Sequence, residues 1–252
     1  MKKNLLYIVM AAGLVQLTSC AKDNFVNPVP TNVISDLTAF DSKDRIEGQV
    51  RAIYTSIKNA GMYGGRYQIF NDIRGGDFMN DRTNVVTGFD VWNYTPSNSS
   101  TNSVQNHWSR AYYVINLANV FLDGMAAKGT AVVGATVSNN YQAEARLLRA
   151  LSYYSLLQLY ARPFWDGNGP KPGVPLRLKG NTGSDNYAQA RATVAEVYTQ
   201  ILADLNFAES NLPTANSNAL NNTIRAHRNT AIALKTRVYM SMRRYTDVIT
   251  EA

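Results

Sequence analysis

Residues 141–160 read YQAEARLLRALSYYSLLQLY, and this uninterrupted stretch decides the fold. Ala, Leu, Gln, Glu and Arg dominate it, and all five are good helix formers. Apolar side chains cover most of the helix circumference, while the three charged residues, Glu144, Arg146 and Arg149, lie in the first half. A helix that is apolar on several sides is buried on several sides, and buried charges need partners. We therefore predict a central helix that ends before Pro163, with other helices packed around it and its charges paired to them.

Similar periodicity predicts further helices around this one. Apolar residues recur at helical spacing over residues 41–59, 105–127, 194–212 and 227–242, and another helix begins near Tyr245. Thr193 and Glu196 form a capping-box pattern before the third of these. Small residues at 129–138 and polar residues at 214–222 predict connections. Helix pairs joined by short turns predict an all-α, tetratricopeptide-like array of helical hairpins, although no 34-residue repeat is present.

The helix predicted over residues 105–127 carries both aromatic and amide side chains. Trp108 and Tyr112 share its apolar register, which favours a place in the core. Asn116 and Asn119 are poor helix formers. Hydrogen bonds to neighbouring loops and simple exposure to solvent explain these two asparagines equally well.

Composition excludes several classes of function. The net charge of +7 is spread along the chain without a Lys- or Arg-rich run, so we expect no nucleic-acid binding. One cysteine cannot form an internal disulfide, and with only His107 and His227 it cannot complete a standard zinc site. Nucleophile-elbow, phosphate-loop and His-Glu-x-x-His motifs are missing, and no spacing marks a glycosidase carboxylate pair. We therefore expect no catalysis, no cofactor and no metal.

The N-terminal segment has the pattern of a lipoprotein leader. A basic start at residues 1–4 precedes an apolar run at 5–15, which is too short for a typical membrane span. The following LTSC, residues 17–20, resembles the bacterial lipobox and implies lipidation of Cys20 with cleavage before it. The alternative is an ordinary secretory signal with a stray cysteine. The predicted division is a signal peptide over 1–19, a lipid-anchored tether over 20–40 and a helical domain over 41–252.

A long segment rich in glycine, residues 61–103, carries the candidate ligand site. We predict it to be an irregular loop region, and long loops in compact proteins are frequently functional. Flat rings and convergent polar groups are what a sugar site needs. The alternative is that Trp92 packs against a helix and the acid and the arginine form an exposed ion pair. The candidate ligand-binding residues are Trp92, Tyr94, Asp77, Arg82 and Asn98.

A second segment, residues 162–176, is rich in proline and glycine and predicts turns. Its Asp166–Gly169 run is suggestive of a calcium loop but lacks the EF-hand spacing and terminal Glu, so a turn is the better interpretation. Phe164 and Trp165 belong equally well to the core or to a contact with a partner.

Several motifs together resemble the SusD/RagB family of outer-membrane lipoproteins. The run from Glu144 to Tyr154 resembles the family's EARFLRALAYFDLL signature, and residues 107–119, 191–205 and 233–245 are similar to its other helices in the family's order. The resemblance implies a surface-exposed lipoprotein of the outer membrane that binds a glycan or peptide and passes it to a SusC-like TonB-dependent transporter. An alternative is a helical scaffold that binds no ligand and only docks on the transporter. Family members are considerably longer, so we expect this chain to be an N-terminal portion.

Overall fold

Helices dominate the part of the chain that the computed structural model describes, residues 38–77, 88–97, 104–183 and 188–252. The predicted leader, Cys20 and nearly all of the predicted tether lie outside these ranges. Contacts group residues 40–252 into one compact unit. Within the described ranges, no helix combines the length and apolar character that a membrane span needs. In chain order the elements are α1 (Lys43–Ile57), α2 (Arg66–Gly75), α3 (Phe89–Trp92), α4 (Val104–Gly124), a π-helical turn (Met125–Gly129), α5 (Thr130–Val133), α6 (Ala135–Tyr160), α7 (Val194–Asn211), α8 (Ala219–Ile224), α9 (Arg228–Ser241) and α10 (Tyr245–Glu251).

The central helix is α6, as its composition predicts. It packs against α1, α4, α7 and α9. Its largest inward side chains, Tyr153 and Leu156, are fully buried. Burial of apolar surface on several faces supplies the main stabilisation of such a helix, since propensity alone is a weak contribution. The all-α, hairpin-type architecture is therefore confirmed.

The charged residues of α6 hold it to its neighbours. Arg149 donates two hydrogen bonds to the Asp204 carboxylate of α7, at 2.8 and 2.6 Å. Glu144 accepts a hydrogen bond of 2.6 Å from Arg225 and one of 2.7 Å from the hydroxyl of Tyr54 on α1. Both carboxylates are fully buried. These pairs fix how α1 and α7 sit against α6, which confirms the pairing predicted from the sequence.

Several predicted helix boundaries are also confirmed. Thr193 caps α7 as predicted, since its side chain accepts from the Glu196 backbone N–H and the Glu196 carboxylate accepts from the Thr193 N–H in return. His227 lies at the N-cap of α9, whose last helical residue is Ser241. The helix predicted near Tyr245 is α10.

Several connections predicted from composition are helical instead. The segment 61–103 contains α2 and the one-turn helix α3, so the prediction of an irregular loop there is wrong in part. The supposed linker 129–138 is helical except at Gly134, whose φ of 81° separates α5 from α6. Gly134 is thus a local break rather than part of a loop. Within 214–222, Asn218 caps the short helix α8 through its side chain.

Candidate functional site

One face of α4 is lined with polar side chains at helical spacing. Tyr112, Asn116, Asn119 and Asp123 follow one another at intervals of four, three and four residues, so all four point the same way. They face the extended segment 171–183, which has no regular secondary structure of its own. Backbone groups in such a segment need partners when they lie against the protein.

Successive side chains of α4 form hydrogen bonds with the backbone of that segment. Tyr112 donates to the Pro175 carbonyl at 2.7 Å, and Asn119 donates to the Arg177 carbonyl at 3.0 Å. The Asp123 carboxylate accepts from the Gly180 N–H at 2.8 Å. Gly180 allows a close approach here, because a Cβ at this position would lie 2.8 Å from the Cα of Val120.

Asn116 forms two hydrogen bonds with the backbone of a single residue of the segment. Its amide donates to the Asn181 carbonyl at 2.9 Å and its oxygen accepts from the Asn181 N–H at 2.8 Å. Tyr153 of α6 adds a second reciprocal pair, donating to the Arg177 carbonyl and accepting from its N–H, both at 2.7 Å. Asn116 and Asn119 are therefore partners of a loop, which decides between the two sequence-based interpretations.

We expect Asn116→Ala to lower the free energy of unfolding by about 1–2 kcal/mol, because two hydrogen bonds are lost and the Asn181 backbone groups lose their partners. The segment should also open locally, so trypsin should cleave after Arg177 or Lys179 faster than in the wild type. Urea denaturation and timed proteolysis measure the two effects. Asn211→Ala, which removes only a bond to Phe207 within its own helix, is the matched control. Equal cleavage rates in both variants would contradict this role of Asn116.

The segment and α4 together form an open groove of about 560 Å³. Aromatic rings line one wall, and two amide groups and an arginine line the other. The lining includes Trp108, Tyr112 and Tyr113 from α4, and Arg177, Asn181 and Gln189 from the opposite wall. This combination of flat apolar faces with a few fixed polar groups is typical of small-molecule sites.

Packing holds the Trp108 ring in place. It meets the Tyr160 ring edge-on, with centroids 5.1 Å apart, and the Tyr112 ring at 5.0 Å. The Arg191 guanidinium lies over it at 5.7 Å. Trp108 and Tyr112 are half-buried. The prediction that these two residues belong to the core is therefore wrong in part, because their remaining surface lines the groove.

Tyr113 is the ring that the groove presents to solvent. It is 52% exposed. It also lines a neighbouring cleft of about 380 Å³, together with Ser109, Asn106 and Arg110, so its ring stands between two depressions. An exposed ring beside hydroxyl and amide groups can stack on the apolar face of a sugar while the polar groups bind its hydroxyls.

Tyrosine hydroxyls in this region stay protonated. Burial raises the pKa of Tyr112, and the nearby Tyr153 hydroxyl raises it further. Burial likewise raises the pKa of Tyr153. Both hydroxyls can therefore act as hydrogen-bond donors to the segment across the physiological pH range.

The structure describes three of the five predicted ligand residues. Trp92 is the last residue of α3 and is 39% exposed, and its ring lies 6.3 Å from that of Phe89. Tyr94 follows two residues later and is 78% exposed. Its φ of 56° is in the left-handed region, which a bulky residue adopts only at a cost, and such positions cluster at functional sites. The backbone there thus holds an exposed ring in a strained conformation.

Asp77 lies just beyond the C-terminus of α2, and it is exposed. The helix α3 packs against α2, because the backbone at Gly88 approaches the side chains of Ile73 and Phe70. Among the described residues, no hydrogen bond joins Asp77 to Trp92 or Tyr94. Arg82 and Asn98 lie outside the described residues. The five residues of this predicted site remain a prediction.

Sequence reasoning missed the α4 groove. Its signal is the polar face of α4, where Asn116 and Asn119 occupy positions that a purely structural helix would fill with better helix formers. The opposite wall comes from residues about 60 positions later in the chain, so no local pattern reveals that the two walls meet.

Comparison with known proteins gives one consistent family. Residues 31–240 match the model of the SusD-like family described as starch-binding and associating with the outer membrane. A SusD-like protein of Formosa agariphila is 25% identical over 198 residues, which cover 75% of this chain and 35% of that protein. The chain thus spans about a third of the length of the curated relatives it matches.

Solved structures show the same fold. A SusD superfamily protein from Bacteroides fragilis superposes with a TM-score of 0.76 and 35% identity, covering 84% of this chain and 49% of that one. A laminarin-binding SusD-like protein superposes with a TM-score of 0.64 at 22% identity, covering 83% of this chain and 42% of that one. The second likeness concerns the fold alone.

Proposed function

The chain belongs to the SusD-like family, and from that membership we propose that it binds an oligosaccharide at the cell surface and delivers it to a SusC-like TonB-dependent outer-membrane transporter. Proteins of this family are associated with the outer membrane. Lipidation of Cys20 would hold the chain there, with residues 20–40 as its tether. Binding without catalysis is the proposed activity, since the sequence carries no catalytic motif.

The observation that carries the proposal is the α4 groove. Its rings, Trp108 and Tyr113, offer apolar faces for pyranose stacking, and Gln189 and Asn181 offer amide groups on the opposite wall. The Gln189 side chain donates one hydrogen bond to the Leu176 carbonyl at 2.7 Å, which orients the amide and leaves its oxygen as an acceptor. A neutral sugar chain fits this chemistry because stacking and amide hydrogen bonds need no charge.

We further propose that Trp92 and Tyr94 form a second contact for the same glycan, with Asp77, Arg82 and Asn98 as hydrogen-bonding partners. The exposed rings and the left-handed backbone at Tyr94 support this role. An oligosaccharide long enough to reach both the α4 groove and these two rings would bind more tightly than one that reaches only one of them.

We expect Tyr113→Ala to weaken oligosaccharide binding by roughly tenfold, because a stacked ring and the area it buries are worth about 1.5 kcal/mol. Isothermal titration of the purified protein with malto-oligosaccharides and a panel of other neutral oligosaccharides measures this. Tyr113→Phe is the matched control, since it keeps the ring and should retain most of the affinity. Trp92→Ala tests the second contact in the same titration.

Two results would contradict the proposal. If the folded wild-type protein binds no oligosaccharide of the panel, the chain is better explained as a helical scaffold that only docks on the transporter. If Tyr113→Ala and Trp92→Ala both bind as tightly as the wild type, the glycan is held elsewhere. Release of shorter sugars during incubation would indicate an enzyme instead.

A further inference from the structure

A second cleft, separate from the α4 groove, lies where several helices end. Its volume is about 320 Å³. It is bounded by the last turn of α2, the end of α6, the turn after it, α7, and the turn that joins α9 to α10. We call it the arginine cleft, because Arg74, Arg162 and Arg243 all line it. No carboxylate side chain belongs to its described lining.

The three arginines retain donors for a ligand. Arg74 donates to the Gln158 carbonyl at the end of α6, at 3.0 Å, and Arg162 donates to the Asp166 carboxylate at 2.8 Å. Within the described residues, Asp166 is the only carboxylate that contacts any of the three. A guanidinium has five N–H donors, so each of these contacts leaves several of them available.

Helix capping explains only part of this arrangement. Arg74 satisfies one carbonyl at the C-terminus of α6, where a cation is favourable. Arg162 and Arg243 make no such contact with a helix carbonyl in the described structure. Three guanidinium groups with one carboxylate give the cleft an excess of positive charge, which attracts an anion.

Arg243 is placed in an unusual way. Its φ of 58° is in the left-handed region, at a helix-ending turn where glycine is the usual residue. Its guanidinium lies 4.3 Å from the centre of the Trp165 ring. The turn therefore holds an arginine where the backbone alone favours glycine, and strain of this kind is typical of functional positions.

Aromatic and hydroxyl groups complete the cleft. Trp165 is 50% exposed, so half of its surface remains open to solvent beside the Arg243 guanidinium. The Tyr198 hydroxyl accepts a hydrogen bond from Gln158 at 3.1 Å, and burial raises the pKa of Tyr198. The hydroxyl thus keeps its proton, and it also interacts with the Ser241 side chain at the end of α9. Cations and an exposed ring together match a sugar that carries an anionic group.

We propose that the arginine cleft binds the carboxylate or sulfate group of an acidic saccharide, with Arg243 and Arg74 as its main donors. The guanidinium fork pairs with either group through two parallel hydrogen bonds. The proposed site differs from the α4 groove in its position and in the charge of its ligand. The two proposals can therefore be tested separately.

The test uses titration calorimetry of the purified protein with trigalacturonic acid. The same trisaccharide with its carboxyl groups reduced to alcohols is the neutral control, and a sulfated form of that neutral trisaccharide is the third arm. We expect the acidic trisaccharide to bind, with an affinity that falls as salt rises, and the neutral control to bind at least tenfold more weakly. Binding of the sulfated form as well would support recognition of sulfate, and failure of both acidic forms to bind would overturn the proposal.

Arg243→Gly is the decisive variant. Glycine adopts the left-handed backbone without cost, so the turn should be preserved while the guanidinium is removed. We expect roughly tenfold weaker binding of trigalacturonic acid, whereas Arg51→Ala, which removes the same charge from an exposed residue of α1, should bind as the wild type does.

Three further results would overturn the proposal. Equal binding of the acidic and neutral trisaccharides would show that charge is not recognised. Unchanged affinity in folded Arg243→Gly, verified by its thermal unfolding, would exclude this cleft. An equal loss in Arg51→Ala would show that only the overall positive charge attracts the ligand.

Discussion

Replacing Asp204 with alanine is expected to lower the free energy of unfolding by about 3–5 kcal/mol. The Asp204 carboxylate is fully buried and accepts two hydrogen bonds from Arg149 and one from Gln200. Alanine would leave the buried Arg149 guanidinium with the Asn119 oxygen, at 2.7 Å, as its remaining partner among these groups. A buried charge that loses its counter-charge is destabilising by more than the pair itself contributes. Urea denaturation monitored by circular dichroism at pH 7 measures the change.

Two further variants separate charge from shape. Asp204→Asn keeps the size of the side chain and loses the charge, so most of the loss should remain. The double variant Arg149→Met/Asp204→Leu removes the closest pair and should recover part of the lost stability, because paired apolar residues often replace a buried ion pair at little cost. Recovery should be incomplete, because Arg146, 3.6 Å from the Asp204 carboxylate, and the Asn119 oxygen each lose a partner. If Asp204→Ala were as stable as the wild type, the ion pair would not be what fixes α7 against α6.

Stability is also expected to fall by about 3 kcal/mol between pH 7 and pH 4 on account of His107 alone. Burial lowers the pKa of His107 from 6.5 to about 4, although the Gly61 carbonyl, 3.1 Å from Nδ1, acts in the opposite direction. The unfolded chain therefore takes up its proton near pH 6.5 and the folded chain near pH 4. Stability from the neutral ring is complete above pH 6.5, decreases as pH falls through this window, and changes little below it.

Comparison with His107→Gln isolates this effect from that of the carboxylates. Glutamine has no proton to gain in this window, and its amide can still donate to the Gly61 carbonyl. The unfolding free energy of each protein, measured from pH 7 to pH 4, gives two curves whose difference in slope belongs to His107. Parallel curves would contradict this prediction, because they would mean that the pKa of His107 is the same in the folded and the unfolded protein.

The helical scaffold could be predicted because its signals are local. The composition of residues 141–160 predicted a central helix, and the Thr193–Glu196 pattern predicted the start of α7. The prediction of a linker over 129–138 is wrong because small residues are equally compatible with a linker and with tight packing. There only Gly134, with its positive φ, interrupts the helix.

The candidate site was harder to predict because its two walls are distant in sequence. The periodicity of α4 identifies which residues share a face, but it does not show that Pro175 and Asn181 lie against that face. Aromatic residues in a helical stripe usually belong to a core, so the sequence pattern predicts a core position for Trp108. How much of the Trp108 ring stays exposed depends on the position of the extended segment. That position is determined by hydrogen bonds between residues distant in sequence.

The way α4 holds the extended segment has a consequence for how specificity can evolve. Tyr112, Asn119 and Tyr153 bind carbonyl and N–H groups of the segment's main chain, which every residue type except proline provides in full. The path of the segment is thus set by the helices, and the segment's own side chains take no part in these hydrogen bonds. The side chains of one wall of the groove can therefore change while the helices and the path of the segment stay the same.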